Sequence, residues 1–347
     1  MKKLRIAVIG AGWVSLHRHV PAIRSQPNVE IVGIIDHKPG RAKQAARAHR
    51  IPLFAEGAIA GAAPWLNDVE AVTIATAPFT HASLAMECLR AGKHVITEKP
   101  FAMKTEEGRE MVACAKENDR TLAVVHNFQF STAFKRAASD LQAGRLGRLL
   151  AVEATQSSNP SRRLPDWFRQ LPGGLFYDES PHLLYLMKLL GGGSFELVNA
   201  YANRDSENSQ TPAQLTAFLL GGNKCPMRLS VNFVAPVSEW QVFLCGSERL
   251  AVVDIFRDVY VSLPNDGEHV TSTVLRTSAL ATLQHWFGSV RPGFSHVFGM
   301  AHYGNDELYS RFVNSCLSGA PPQDISAEDG YSVLEMQHNI LQACKWA

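Results

Sequence analysis

The first third of the chain alternates between short apolar runs and amphipathic stretches. The runs at 4–10 (LRIAVIG), 29–36 (VEIVGIID), 71–78 (AVTIATAP), 94–100 (HVITEKP) and 121–127 (TLAVVHN) are short, β-branched and poor in charge, as expected of buried strands. Between them, Val14, Leu16, Val20 and Ile23 recur at helical spacing within 13–26. Three more helices are predicted: the alanine-rich 40–50, 81–92 closed by a glycine, and 105–119 opened by Thr105. Strand, helix and strand at these spacings imply right-handed βαβ units. Residues 1–127 are therefore predicted to form an α/β Rossmann domain, a doubly wound parallel sheet.

From about residue 128 the pattern changes. A helix at 132–143 leads to a strand within 146–158 and a long polar loop at 159–174. Short alternating strands follow at 195–203, 213–220, 226–234, 238–245, 249–254 and 258–263, which suggests a largely antiparallel sheet. Amphipathic helices are predicted at 303–319 and 326–347, the second capped by Ser326. Residues 128–347 read as an α+β domain for substrate binding and oligomerisation. An open sheet must cover its second face, so a homo-oligomer, dimer or tetramer, is expected through it.

Composition narrows the function. The 347 residues are 46% hydrophobic and 19% charged, with a net charge of +2, so no nucleic acid is expected as partner. The six cysteines lie far apart with no CxxC pair, which suits reduced thiols in the cytoplasm and no metal site. The opening MKKLRIAVIGAG resembles a signal peptide only briefly, because its apolar run ends in glycines. No apolar stretch approaches the ~18–20 residues of a membrane span, so no membrane partner is expected.

The chemistry gathers at strand ends. Gly10-Ala11-Gly12-Trp13-Val14-Ser15 follows the first strand and opens a helix, as a dinucleotide fingerprint does, with Ser15 in place of the third glycine. Asp36 ends the second strand, where an acid binds a ribose 2′-hydroxyl and repels a 2′-phosphate. NAD is therefore favoured, with NADP possible if Lys38 and Arg41 hold a phosphate; a solvated helix face is the alternative for both. Glu98-Lys99-Pro100 ends another core strand, either as two charges reaching solvent or as part of a ligand site.

Together with ATAPFTHASLAMECLRAGKHVITEKP (75–100) and GGLFYDESPH (173–182), the glycine turn resembles the Gfo/Idh/MocA family of oxidoreductases. The resemblance spans the Rossmann domain and the start of the second domain. It implies that Lys99 faces nicotinamide and substrate, that Glu98 lies near the nicotinamide ribose, and that Thr76, Ala77, Pro78 and His81 line the cofactor. The cofactor set expected on this basis is Gly10, Ala11, Gly12, Trp13, Val14, Asp36, His37, Thr76, Ala77, Pro78, His81, Glu98, Lys99 and Asn127. Asp178 and His182 match the later motif, in which the acid and the imidazole bind substrate and act in catalysis.

The residue chemistry is consistent with that. Oxidising a carbinol needs a base near neutrality, which imidazole supplies, and a nearby ammonium stabilises the developing alkoxide. Asp178 has an alternative role as a helix cap, with Pro181 in the first turn. Arg162, Arg163, Trp167 and Arg169 on the polar loop suit a sugar ring and an anionic group, or else a packed Trp on a surface loop. The expected catalytic residues are Lys99, Asp178 and His182, and the substrate set is Lys99, Arg163, Trp167, Asp178 and His182. Three departures from the family pattern stand out: Ser15 in place of a frequent glycine, which does not threaten cofactor binding, and two that bear on substrate, Gln129 where an arginine is frequent and Tyr185 where a second acid is frequent. The expected function is an NAD(P)-dependent oxidoreductase acting on a sugar, cyclitol or nucleotide-sugar-like substrate. The alternatives are an NAD-dependent glycoside hydrolase or lyase and a non-enzymatic dinucleotide-sensing regulator.

Overall fold

The computed structural model describes residues 3–57, 63–204, 209–297 and 303–346. The chain forms two compact units: Met1–Asn127 with Asn305–Glu335, and Phe128–Gly304 with Met336–Ala347.

The first unit carries strands β1 (Leu4–Ile9), β2 (Val29–Asp36), β3 (Leu53–Glu56), β4 (Ala71–Ile74), β5 (His94–Thr97) and β6 (Leu122–Val124). They form one parallel sheet in the order β3-β2-β1-β4-β5-β6, the doubly wound arrangement. Its helices are α1 (Val20–Arg24), α2 (Arg41–Ala48), α3 (His81–Arg90) and α4 (Thr105–Glu117). Ile6, Val8, Ile34, Ile74, Val95 and Ile96 are buried in the sheet, which is why these strands read as continuous apolar runs.

Two local expectations change here. The helix predicted at 13–26 is interrupted: Ser15–His19 forms a π-helical turn before α1. Strand β3 had no predicted counterpart, because Leu53 and Phe54 are exposed at the sheet edge and lack a buried strand's pattern.

The second unit contains α5 (Thr132–Gln142), β7 (Leu149–Ser157), α6 (Leu175–Leu190), β8 (Phe195–Asn203), β9 (Gln214–Gly221), β10 (Pro226–Asn232), β11 (Glu239–Gly246), β12 (Arg249–Asp254) and β13 (Val259–Pro264). A 27-residue helix, α7 (Thr271–Val297), follows β13. The sheet order is β13-β12-β11-β7-β10-β9-β8-β14, where β14 is Cys344–Trp346. Pairing is antiparallel except at β7–β10 and β8–β14.

Helix α7 was not expected, and its sequence explains why. Leu275, Leu283, Trp286, Phe287 and Phe294 are each more than half exposed, so the apolar stripe faces outward. The half-buried positions are mixed, Thr277, Ala281, Gln284 and Gly288 with Val274 and Leu280. Gln284 accepts from the Ser262 N–H and donates to the Ser262 carbonyl, pairing the free edge of the strand.

The assignment of 128–347 to one domain also changes. Helix α8 (Asn305–Ser318) and the first part of α9 (Ala327–Ala343) belong to the first unit. Leu308, Tyr309 and Phe312 are fully buried, and Val124 N–H donates to the Ile325 carbonyl. The predicted cap holds: the Ser326 hydroxyl accepts from Asp329 N–H, and the Asp329 carboxylate accepts from Ser326 N–H. The predicted helix 326–347 ends at Ala343, and residues 344–346 pair with β8 instead. Ala347 lies outside the described residues.

Candidate active site

The sheet register of the first unit builds a rim. Ile9 lies beside Ile35 and Ile74, Ile74 beside Thr97, and Thr97 beside Val124. The next residues, Gly10, Asp36, Ala75, Glu98 and Val125, therefore line the carboxyl edge of the sheet, where open α/β sheets bind ligands.

Gly10 has φ +98°, and a Cβ there would stand 2.3 Å from the Ala75 carbonyl oxygen. Only glycine fits that turn. Gly12 differs: a Cβ would have its nearest neighbours, the Ala75 oxygen and the Arg41 guanidinium, 4.0 Å away, so its missing side chain leaves open space at the helix start. Asp36 is buried at the rim. Its Oδ2 accepts from Ala11 N–H at 2.8 Å and its Oδ1 from Lys38 N–H at 2.9 Å. These two bonds fix the carboxylate and use about half of its roughly four acceptor positions. An open glycine cradle beside a fixed acid fits a pyrophosphate and a ribose diol.

The remaining residues expected on this side are placed as follows. Trp13 and Val14 are exposed; Trp13 stacks on His17 with centroids 4.9 Å apart, and Arg18 lies 5.2 Å from its ring centroid. His37 is exposed, 3.7 Å from Asp36 Oδ1. Lys38 is exposed, but Arg41 is not simply a solvated position, since its Nε lies 3.8 Å from Asp36 Oδ2. Ser15 is fully buried, with no hydrogen-bond partner for its hydroxyl among the described residues. A small side chain suits that closely packed position.

Thr76, Ala77 and Pro78 follow β4, with the Thr76 hydroxyl 2.7 Å from that of Thr80. His81 is fully buried between two strand ends, Nδ1 at 2.8 Å from the Pro100 carbonyl and Nε2 at 3.2 Å from that of Thr76. Burial lowers its pKa, against the opposing pull of the two carbonyls. The ring thus ties the β4 and β5 ends together. Asn127 is buried at the end of the first segment.

Glu98 Oε1 lies 2.8 Å from His19 Nε2, and Oε2 accepts from Lys99 N–H at 3.0 Å. Burial pushes the Glu98 carboxyl up, but the hydrogen bond and charge of His19, with Lys99 and His81, outweigh it and hold the group below its ordinary range. Lys99 is half-buried beside it.

The second unit holds the other expected residues. Helix α6 starts after Gly173 and Gly174, both at positive φ. A Cβ on Gly174 would stand 2.0 Å from the Thr211 hydroxyl, which accepts from Leu175 N–H. Asp178 therefore lies inside the helix's first turn, not at its cap, and Pro181 sits in the helix interior. The cap alternative for Asp178 is overturned, because the helix begins at the glycine pair. Pro181 cannot donate to the Tyr177 carbonyl; the buried Gln337 amide does so instead, at 2.8 Å.

His182 lies one turn beyond the buried Asp178. Its Nδ1 is 3.1 Å from the Tyr185 hydroxyl, whose oxygen also accepts from Phe128 N–H at 3.0 Å. Phe128 and Trp240 flank the imidazole, with centroids at 4.8 and 5.5 Å. Tyr185, noted only as a missing acid, is thus the imidazole's partner.

On the polar loop Arg163 is exposed and Trp167 half-buried. It is Arg162 that turns inward, to a buried cluster in which the Glu179 carboxylate accepts from the Arg162 guanidinium and the Gln156 amide. Nothing in the arginine-rich run separated Arg162 from Arg163. The period-two alternation of β7, which turns Gln156 inward after Val152 and Ala154, was the available signal for Gln156.

Comparisons with known proteins bear on the family and the fold. The chain is 29% identical over 222 residues to 1-carboxy-3-chloro-3,4-dihydroxycyclo hexa-1,5-diene dehydrogenase of Comamonas testosteroni, covering 62% of this chain and 54% of that protein. It is 28% identical to dTDP-3,4-didehydro-2,6-dideoxy-alpha-D-glucose 3-reductase of Streptomyces violaceoruber, covering 59% of this chain and 60% of the relative. Inositol 2-dehydrogenase of Rhizobium meliloti is 29% identical, over 54% and 55% of the two chains. The chain therefore spans a little over half the length of these curated relatives. Among solved structures, levoglucosan dehydrogenase in complex with NADH and L-sorbose matches with a TM-score of 0.80 at 19% identity, over 99% of this chain and 97% of that one. The WlbA dehydrogenase from Bordetella pertussis, with NADH and UDP-GlcNAcA, matches at 0.78 and 20%, over 99% and 95%. At these identities the structures show a common fold. Residues 4–126 match the oxidoreductase family with an NAD-binding Rossmann fold, and residues 134–252 match the GFO/IDH/MocA C-terminal domain. The chain belongs to the Gfo/Idh/MocA family of oxidoreductases.

Proposed function

We propose that the protein is an NAD-dependent dehydrogenase or reductase that moves a hydride between nicotinamide and a ring carbon of a sugar, cyclitol or nucleotide-linked sugar. The carrying observation is the single rim that holds the open glycine turn, the fixed carboxylate of Asp36 and the Glu98-Lys99 strand end. The relatives' names support the substrate class: a dTDP-hexose reductase and an inositol dehydrogenase.

When bound, the nicotinamide supplies or accepts the hydride. Gly10, Ala11 and Gly12 bring backbone close to the pyrophosphate, and Asp36 accepts from the adenosine ribose. Lys99 donates to the substrate oxygen and stabilises it as an alkoxide. Asp178 holds a neighbouring hydroxyl. With His182 Nδ1 engaged by Tyr185, proton exchange with the substrate oxygen passes through Nε2. Arg163 and Trp167 contact the distal part of the sugar. Screening the purified protein against sugars, cyclitols and nucleotide sugars with both cofactors, by nicotinamide absorbance, tests this reading. Reduction of NAD by members of that panel supports it; binding of NAD with no turnover of any sugar class contradicts it.

Asp36 selects NAD on this account. Asp36→Ala is expected to weaken NAD about tenfold, the loss of charge-assisted hydrogen bonds, and to narrow the preference over NADP. Titration of both nucleotides into both proteins measures this. Tighter NADP binding by the wild type would make Arg41 the anchor of a 2′-phosphate and reverse the assignment.

The second unit's sheet exposes Tyr201, Phe218 and Leu250 on one face. A second copy covering this face gives the homo-oligomer expected of an open sheet. Light scattering after gel filtration should give a dimer or tetramer, and Phe218→Glu should shift it toward monomer. A monomeric wild type would remove the proposal.

A further inference from the structure

Behind Glu98 the first unit contains a buried polar network whose other members, His19, Tyr309 and Thr73, the cofactor and substrate roles do not use. His19 is fully buried in the π-helical turn that follows the glycine loop. Its Nε2 faces Glu98 Oε1 at 2.8 Å, and its Nδ1 lies 3.0 Å from the Tyr309 hydroxyl. Tyr309, also fully buried, reaches the Thr73 hydroxyl at 3.3 Å. Four elements thus meet: the π turn, β4 at Thr73, the end of β5 at Glu98, and α8 at Tyr309. The phenol is neutral, because burial pushes the Tyr309 pKa far up.

The hydrogen positions follow from the partners. A carboxylate only accepts, so with Glu98 ionised His19 must carry its hydrogen on Nε2. Tyr309 then donates to Nδ1, or accepts from it and donates to Thr73. Either way every polar atom of the network is satisfied. Such a network holds its members rigidly, and a half-satisfied one is costly. Glu98 receives one hydrogen bond on each oxygen, both from the protein. It is therefore a fixed, nearly buried anion at the sheet rim, and its side chain is only 13% exposed.

We propose that His19 is a positioning residue that fixes Glu98 as an inward-facing carboxylate, and that this anion favours the oxidised, positively charged nicotinamide over the reduced, neutral one. The inference rests on the cofactor reading above and concerns the cofactor equilibrium, not the substrate. A fixed charge in a partly desolvated rim acts across several ångströms, where one unit of charge changes an equilibrium about tenfold or more.

Binding alone tests it. NAD and NADH are titrated separately into wild type, Glu98→Gln, His19→Leu, His19→Gln and Tyr309→Phe, with melting temperature recorded for each. Glu98→Gln should weaken NAD about tenfold while NADH stays within about twofold. His19→Leu should move the NAD to NADH affinity ratio in the same direction. His19→Gln, which keeps an N–H donor, should restore much of that ratio. In the wild type, the imidazole ¹⁵N spectrum should show a protonated Nε2. Equal weakening of both nucleotides, or a ratio unchanged in Glu98→Gln, overturns the proposal and leaves His19 a packing residue. If His19→Leu fails to fold, the Tyr309→Phe and Glu98→Gln ratios decide the matter. A wild type that binds neither nucleotide removes the cofactor reading itself, a different failure from an unchanged ratio.

Discussion

Replacing Lys99 by methionine is expected to lower kcat about 10²–10³-fold, the scale of losing one preorganised group at a developing oxyanion. The affinity for NAD should change little. Lys99 stands two residues beyond β5, half-buried, and its backbone N–H is bound by the carboxylate of the preceding Glu98. The backbone at this corner is thus fixed from two sides, by Glu98 below and by His81 on the Pro100 carbonyl. A long cation on a fixed backbone reaches a repeatable point, which electrostatic stabilisation of a transition state needs. Methionine keeps the length and the packing while removing the charge. Single-turnover kinetics at saturating NAD separate this effect from binding. Near-normal kcat in Lys99→Met would sink the assignment. A loss confined to NAD affinity would make Lys99 a cofactor ligand instead.

His182→Ala should lose about 10²–10⁴-fold in kcat/KM, the usual contribution of a placed acid or base. The imidazole is set by Tyr185 on Nδ1 and by the ring edges of Phe128 and Trp240. For Nε2 to take a proton from the alcohol, Nδ1 keeps its own hydrogen and the Tyr185 oxygen accepts it. Oxidation then requires neutral His182, so kcat/KM in that direction rises with pH through one ionisation. Reduction requires the protonated ring and shows the opposite sign. Both ionisations should vanish in His182→Ala. Tyr185→Phe should keep most of the structure, lower the rate about tenfold by loosening the ring and leave NAD binding unchanged. The rival outcome is a His182→Ala variant with raised KM and the wild-type pH profile. His182 would then only hold a substrate hydroxyl, and the proton would pass to Lys99.

Much of the first unit was legible because its strands are buried on both faces. An apolar run such as 29–36 has one physical use, and β2 spans those same residues. The glycine turn was legible because Gly10 and Gly12 answer two separate constraints, one steric within the protein and one an open cradle. Other parts follow contacts that lie far apart in sequence. Asn305–Glu335 joins the first unit because Tyr309 and its neighbours find a core there, and no local pattern says which core an amphipathic helix will choose. Helix α7 hid because its large apolar residues lie mostly on the exposed side, the reverse of the usual reading. At the site, Asp178, His182 and Lys99 came from motif resemblance and strand-end position. His19, Tyr185 and Arg162 were not legible, since each acts on a partner carried by another element or by a later turn. Asp178 was open to a capping role until the helix start at Leu175 removed it.

The central claim is that a hydride leaves the cofactor and stays in the sugar. Deuterium placed at both C4 positions of the NADH nicotinamide tests this most directly, using the oxidised form of whichever sugar the absorbance panel selects. The account predicts one deuterium on one ring carbon of the product, with NAD formed in equal amount. Sugar turned over with no deuterium in the product would contradict it.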